Sequence, residues 1–124
     1  MAHTEDIQLD QGTDVSIEVT LINYDKTPKN LVGHLVKGII KPSVESEDAI
    51  EFATAKTDAL NGVIDLVLTA AQTQIMNHRR RYVYEVEIVH VNEENGDTVR
   101  ERVLQGIITI VPALRLSVAT QPIP

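Results

Sequence analysis

The chain contains no cysteine, so any chemistry must come from histidines, hydroxyls and carboxylates. Thiolate catalysis, disulfides and cysteine zinc sites are excluded, while the compartment is left open. The histidines are His3, His34, His78 and His90. A zinc site needs three or four converging ligands, and neither His-x-His nor His-x3-His spacing occurs. His34 and His90 fall within strand patterns, where a polar-face or hydrogen-bonded role is expected. Two acidic clusters, Glu45-x-Glu47-Asp48 and Glu93-Glu94-Asn95-x-Asp97, carry oxygens of the kind that bind calcium. The second has Gly96 in a tight loop, yet both lack the twelve-residue pattern and terminal bidentate Glu of an EF-hand. They read as solvated loop charge. Ser16, Ser43, Ser46 and Ser117 lie in no nucleophile elbow, and no Gly-rich phosphate loop is present. With aromatics at 3%, a sugar-stacking cleft around a carboxylate pair is not expected. The chain reads as a non-enzyme with no cofactor and no metal.

Two segments point instead to contacts with other proteins. Arg79-Arg80-Arg81, beside His78, is the one basic cluster in a chain of net charge −7. It either complements a helix C-terminus as a solvated face or anchors a partner's carboxylates through bidentate hydrogen bonds. The overall negative field, with a pI near 4.9, argues against nucleic acid and anionic lipid as partners. Beyond Pro112, Leu114, Leu116 and Val118 alternate in Ala113-Leu-Arg-Leu-Ser-Val-Ala-Thr-Gln-Pro-Ile-Pro124. The expectation is an extended C-terminal arm, residues 113–124, that adds to a neighbour's sheet edge or covers its groove. Folding back on its own domain is the alternative. Arg79, Arg80, Arg81, Leu114, Leu116 and Val118 are therefore the expected interface residues.

The elements that must position these segments are strands. A length of 124 residues fits one domain, residues 1–112, able to form an ordinary core rich in Val, Ile and Leu. No signal-peptide pattern opens the sequence, and no apolar run approaches the ~20 residues of a membrane span. Alternation of period two marks Asp14–Ile22, with Val15, Ile17, Val19 and Leu21 on one face. Glu5–Asp10 reads as a short edge strand, Gly33–Lys41 as the third strand and Ile50–Ala53 as a short fourth. Val63–Leu68 follows the Asn61-Gly62 turn. Thr69 with Gln72 forms a capping-box pattern for a helical turn over Ala70–Met76, presenting Ala71, Ile75 and Met76 to the core. Arg81–Val91, with Tyr82, Tyr84, Val86 and Ile88 inward, pairs across an Asn95-Gly96 hairpin with Thr98–Val111. About seven strands and one short helix predict an all-β, immunoglobulin-like β-sandwich. A small barrel is the other architecture these strands allow.

The order of motifs carries a resemblance. Asp10-Gln-Gly12 precedes an alternating strand, and Leu31-Val-Gly-His34 leads into a Lys-bearing strand ending Lys41-Pro-Ser43. Then come Gly62-Val-Ile-Asp-Leu-Val-Leu-Thr69, Tyr82-Val-Tyr-Glu-Val86 and Leu104-Gln-Gly-Ile-Ile-Thr-Ile-Val-Pro112. From about residue 6 to 112 this resembles the immunoglobulin-like structural domains of tailed bacteriophages. These include the N-terminal domain of upper baseplate proteins and small virion structural proteins of T4-like cyanophages. A departure is Pro28-Lys-Asn-Leu31, where such domains more often carry an Asp before Leu-x-Gly. The family has no catalytic motif to carry over.

The resemblance implies a virion location and an assembly part of the tail, neck or baseplate. Its partners would be other phage structural proteins, in a symmetric homo-oligomer or a larger multi-copy assembly. Two rivals make different demands. A head decoration protein on the capsid lattice would be present in hundreds of copies. A carbohydrate- or calcium-binding host-recognition module would bind ligand as an isolated domain, and the absence of Trp counts against it.

Overall fold

The computed structural model describes residues 3–112, and within them the strand is the dominant element. Eight strand segments appear in the order β1 (His3–Thr4), β2 (Ile7–Asp10), β3 (Val15–Thr20), β4 (Leu35–Lys41), β5 (Ile50–Asp58), β6 (Val63–Leu68), β7 (Arg81–Val91) and β8 (Thr98–Val111). One short helix, α1 (Ala70–Gln74), joins β6 to β7, and a 3-10 turn at Ala59–Asn61 joins β5 to β6. The fold is all-β and sandwich-like. The arm expected at residues 113–124, with Leu114, Leu116 and Val118, lies outside the described residues.

The sheets form because each strand alternates apolar and polar residues about a core of aliphatic side chains. The first layer runs β2–β8–β7–β4 and ends on the first residues of β5, with β1 also on β8. Here β1 and β2 lie parallel to β8, whereas the other pairs are antiparallel. The second layer is β5–β6–β3, all antiparallel. Strand β5 belongs to both layers, since Ile50–Phe52 pairs with β4 and the stretch beyond pairs with β6. It therefore extends well past the short fourth strand expected over Ile50–Ala53. The added residues, Thr54-Ala-Lys-Thr-Asp58, are small or polar and show no alternation that periodicity would detect.

Ile40, Ile64, Leu66, Leu68, Val86, Ile88 and Ile108 are wholly buried between the layers. Phe52 meets Tyr84 edge-on, ring centroids 6.3 Å apart, an arrangement contributing about 0.5–1.5 kcal/mol beyond area burial. A bulge skips Val103, so Val86 faces Leu104 while Glu87 faces Arg102. On the outer face, Arg102 pairs with Glu85 at 2.9 Å and Arg100 with Glu87 at 3.0 Å.

Helix α1 has the expected capping box, with Gln72 N donating to Thr69 Oγ1 and Thr69 N donating to Gln72 Oε1. Its buried face differs from the sequence expectation. Thr73 and Met76 are buried, whereas Ile75 is 74% exposed and Ala71 is exposed. The reason is polar. Thr73 Oγ1 donates to Thr13 O at 2.8 Å, and this bond turns the Thr73 face inward.

Candidate functional site

The most distinctive surface lies where the strand path ends on both sides. Strands β2 and β3 are joined by the turn at residues 11–14, yet among the described residues no ladder links them. Among the described residues each pairs on one side only, β2 with β8 and β3 with β6, which leaves a second row of main-chain N–H and C=O groups outside any ladder on each. Between them runs a groove of about 740 Å³. At the far end it meets a second hollow of about 440 Å³, with which it shares His3, Val19, Thr20 and Leu104.

The floor is apolar. Ile7, Leu9, Val15, Ile17, Val19, Tyr84 and Leu104 line it. Val15, Ile17 and Val19 point to the core but stay half-buried, whereas their ladder partners Leu68, Leu66 and Ile64 are 0% exposed. The side-chain types and facing direction are the same, one strand further in. The difference is that, among the described residues, no strand pairs with β3 on its groove side.

The rim is acidic. Glu5, Asp6, Asp10, Asp14 and Glu18 line the groove, with no Lys or Arg among the described lining residues. Asp6 Oδ1 accepts from Ile107 N, Asp14 Oδ1 accepts from Ala70 N at 2.7 Å, and Glu5 meets His3 at 3.1 Å. Asp10 and Glu18 form no ion pair among the described residues. Glu18 also stands directly opposite Asp65 on β6, a like-charge pair that destabilises the sheet unless a cation approaches.

Both ends of the seam are fixed. At one end Gln11 Nε2 donates to Gln74 O and Met76 O, and Gln11 N donates to Val111 O, fastening the turn to α1 and β8. At the other, Tyr84 OH donates to Glu5 O where the chain steps from β1 to β2. Burial, then the charges of Glu5 and Asp6, push the Tyr84 hydroxyl up to about 12. Gly106 makes that crossing available, because a Cβ there would sit 2.0 Å from Glu5 O. The seam is thus a rigid opening in the sheet.

The arginine cluster lies elsewhere. His78, Arg79 and Arg80 occupy the exposed turn after α1, and Arg81 opens β7 opposite Thr109. None of the three arginines forms an ion pair among the described residues. The structure therefore brings the Arg79–Arg81 cluster out to solvent but does not join it to the groove.

His34 and His90 meet with ring centroids 4.5 Å apart and planes tilted by 42°, and His90 Nδ1 is buried without a hydrogen-bond partner among the described residues. No group of three or more His, Asp or Glu placed to hold a metal occurs among the described residues. In the acidic hairpin 92–97 the two asparagines hold the turn, with Asn92 Oδ1 accepting from Glu94 N and Asn95 Oδ1 from Asp97 N. Sequence reasoning missed the groove. A signal was present in Glu5–Asp10, read as a short edge strand, lying a short turn before the half-buried strand Asp14–Ile22, but pattern alone does not say whether the two pair.

No known family model matches the chain, and no curated protein sequence matches it.

Proposed function

We propose that this chain is a non-enzymatic structural component of a bacteriophage particle, in the tail, neck or baseplate, that mediates contacts between subunits. One observation supports the assembly reading above all: a seam, held at both ends, whose apolar floor and two strand edges without a second ladder among the described residues suit an added polypeptide segment. Small-molecule chemistry is disfavoured there, because the acids are dispersed along a strand-length rim rather than converging on one point. The phage setting rests on the motif order from Asp10 to Pro112. The strand shared between two layers fits the sandwich-like fold that such a part requires.

In this reading the chain acts as a stiff unit with fixed edges, and modest contacts multiply across a symmetric array. Arg79, Arg80 and Arg81 offer a second, cationic contact for a neighbour's carboxylates. The test is quantitative mass spectrometry and imaging of purified particles from the phage that encodes the chain. The expected result is a fixed copy number of this chain at tail, neck or baseplate positions. Absence from the particle overturns the reading, and hundreds of copies on the capsid lattice would make the chain a head decoration protein.

A further inference from the structure

We propose that the groove between β2 and β3 receives the C-terminal segment of a second copy of this chain, with Leu114, Leu116 and Val118 on the apolar floor and Arg115 at the acidic rim. The inference rests on the assembly reading and supplies its partner. Three properties of the groove select this occupant. Its two edges offer main-chain groups along their length, so the occupant is an extended strand rather than a helix. Its floor of Ile7, Val15, Ile17 and Val19 is half-buried, so one face of that strand must be aliphatic. Its outward side chains on the flanking strands include Asp10 and Glu18, so the other face must be polar and cationic.

The segment 113–118, Ala-Leu-Arg-Leu-Ser-Val, meets all three requirements. Leu114, Leu116 and Val118 alternate with Arg115 and Ser117, and there is no acid from 113 to 124. Five residues of strand span roughly 17 Å, close to the roughly 20 Å of six-residue β3. Arg115 on the outer face would stand beside Glu18 and relieve the Glu18–Asp65 opposition.

Geometry favours another copy over the chain's own tail. Val111 is the parallel partner of Asp10, so the chain leaves β8 on the far side of β2 from the groove. A strand in the groove lies two strand spacings from β8, roughly 10 Å away. Leu114 is three residues past Val111, the last residue of β8, so its full extended reach of about 10 Å would be spent on crossing β2 alone. The chain would also have to reverse direction over the turn at residues 11–14, which Gln11 and Thr73 hold against α1. Between copies none of these constraints applies. Each copy carries this groove and this segment, so copies link head to tail into a ring or exchange segments in a pair.

The absence of native cysteine permits a direct test on the full chain. Ser16→Cys and Ser117→Cys chains, carrying different mass tags, are mixed and oxidised, with Glu18→Cys plus Ser117→Cys covering the next outward position on β3. The expected result is a disulfide between differently tagged copies in at least one mixture. Sedimentation should show Arg115→Glu weakening self-association about tenfold, and Glu18→Arg in the same chain restoring it. Urea unfolding of the Arg115→Glu chain, expected to match the native chain, separates lost association from lost folding. No cross-link in either mixture, or self-association unchanged by Arg115→Glu and by Leu116→Asp, overturns the inference while leaving the assembly reading standing. Loss of the chain from purified particles would sink the assembly reading alone.

Discussion

Tyr84 holds a disproportionate share of the edge in place. Its ring lies in the core against Phe52 while its hydroxyl donates to Glu5 O, where the chain steps between β1 and β2. Tyr84→Phe keeps the ring and removes that bond, so unfolding in urea should show a loss of about 0.5–1.5 kcal/mol. The hydroxyl titrates higher folded than unfolded, near 12 against 10.0. Its neutral form is the one the fold favours, so the contribution is complete below pH 10 and fades as pH rises through 12. The alkaline stability difference between the native chain and Tyr84→Phe should therefore shrink across that window. A difference that is constant from pH 9 to 12 would contradict this account. Gly106 is the companion residue. Gly106→Ala drives a methyl into the Glu5 carbonyl, and we expect a loss of about 1–3 kcal/mol with faster amide exchange confined first to β1 and β2.

At the scale of elements, α1 is too short to persist alone and survives by what it caps and clamps. Thr73→Val keeps the volume but removes the bond to Thr13 O, leaving a carbonyl without its donor in a part-buried setting. The expected cost is about 1–3 kcal/mol, read by thermal or urea unfolding. Much of this element was legible in advance. Thr69 and Gln72 announced its start, and the two are paired as their spacing implies. Which side faces inward was not legible, because hydrophobicity favoured Ile75 while a long-range hydrogen bond favoured Thr73. The same division runs through the strands. Tyr82, Tyr84, Val86 and Ile88 alternate strongly enough that β7 could be read directly. The second half of β5 could not, since Ala53–Asp58 earn their strand conformation from pairing with β6 rather than from their own character. The seam was also hidden. Val15, Ile17 and Val19 alternate identically whether or not a strand lies beside them, and only the long-range path from β8 round to β3 leaves that side open.

For the whole molecule, charge sets how neighbours approach. A net charge of −7 makes copies repel at long range, so association needs local cations. The exposed Arg79, Arg80 and Arg81 are one such source and Arg115 another. Replacing Arg79–Arg81 by Ala should weaken incorporation into particles most strongly at low ionic strength and little at about 1 M salt, where screening reaches within ~3 Å. Unchanged, salt-independent incorporation would reduce the cluster to a solvated face.

The parallel pairing of β2 with β8 has a mechanical corollary. The register runs from Ile7 against Ile108 to Asp10 against Val111, so the two chain ends leave this ladder in opposite directions. Tension applied between them runs along the strands, and the rungs must bear the load together instead of parting one after another. A unit tethered at both extremities would thus resist being pulled open far better than its modest size suggests.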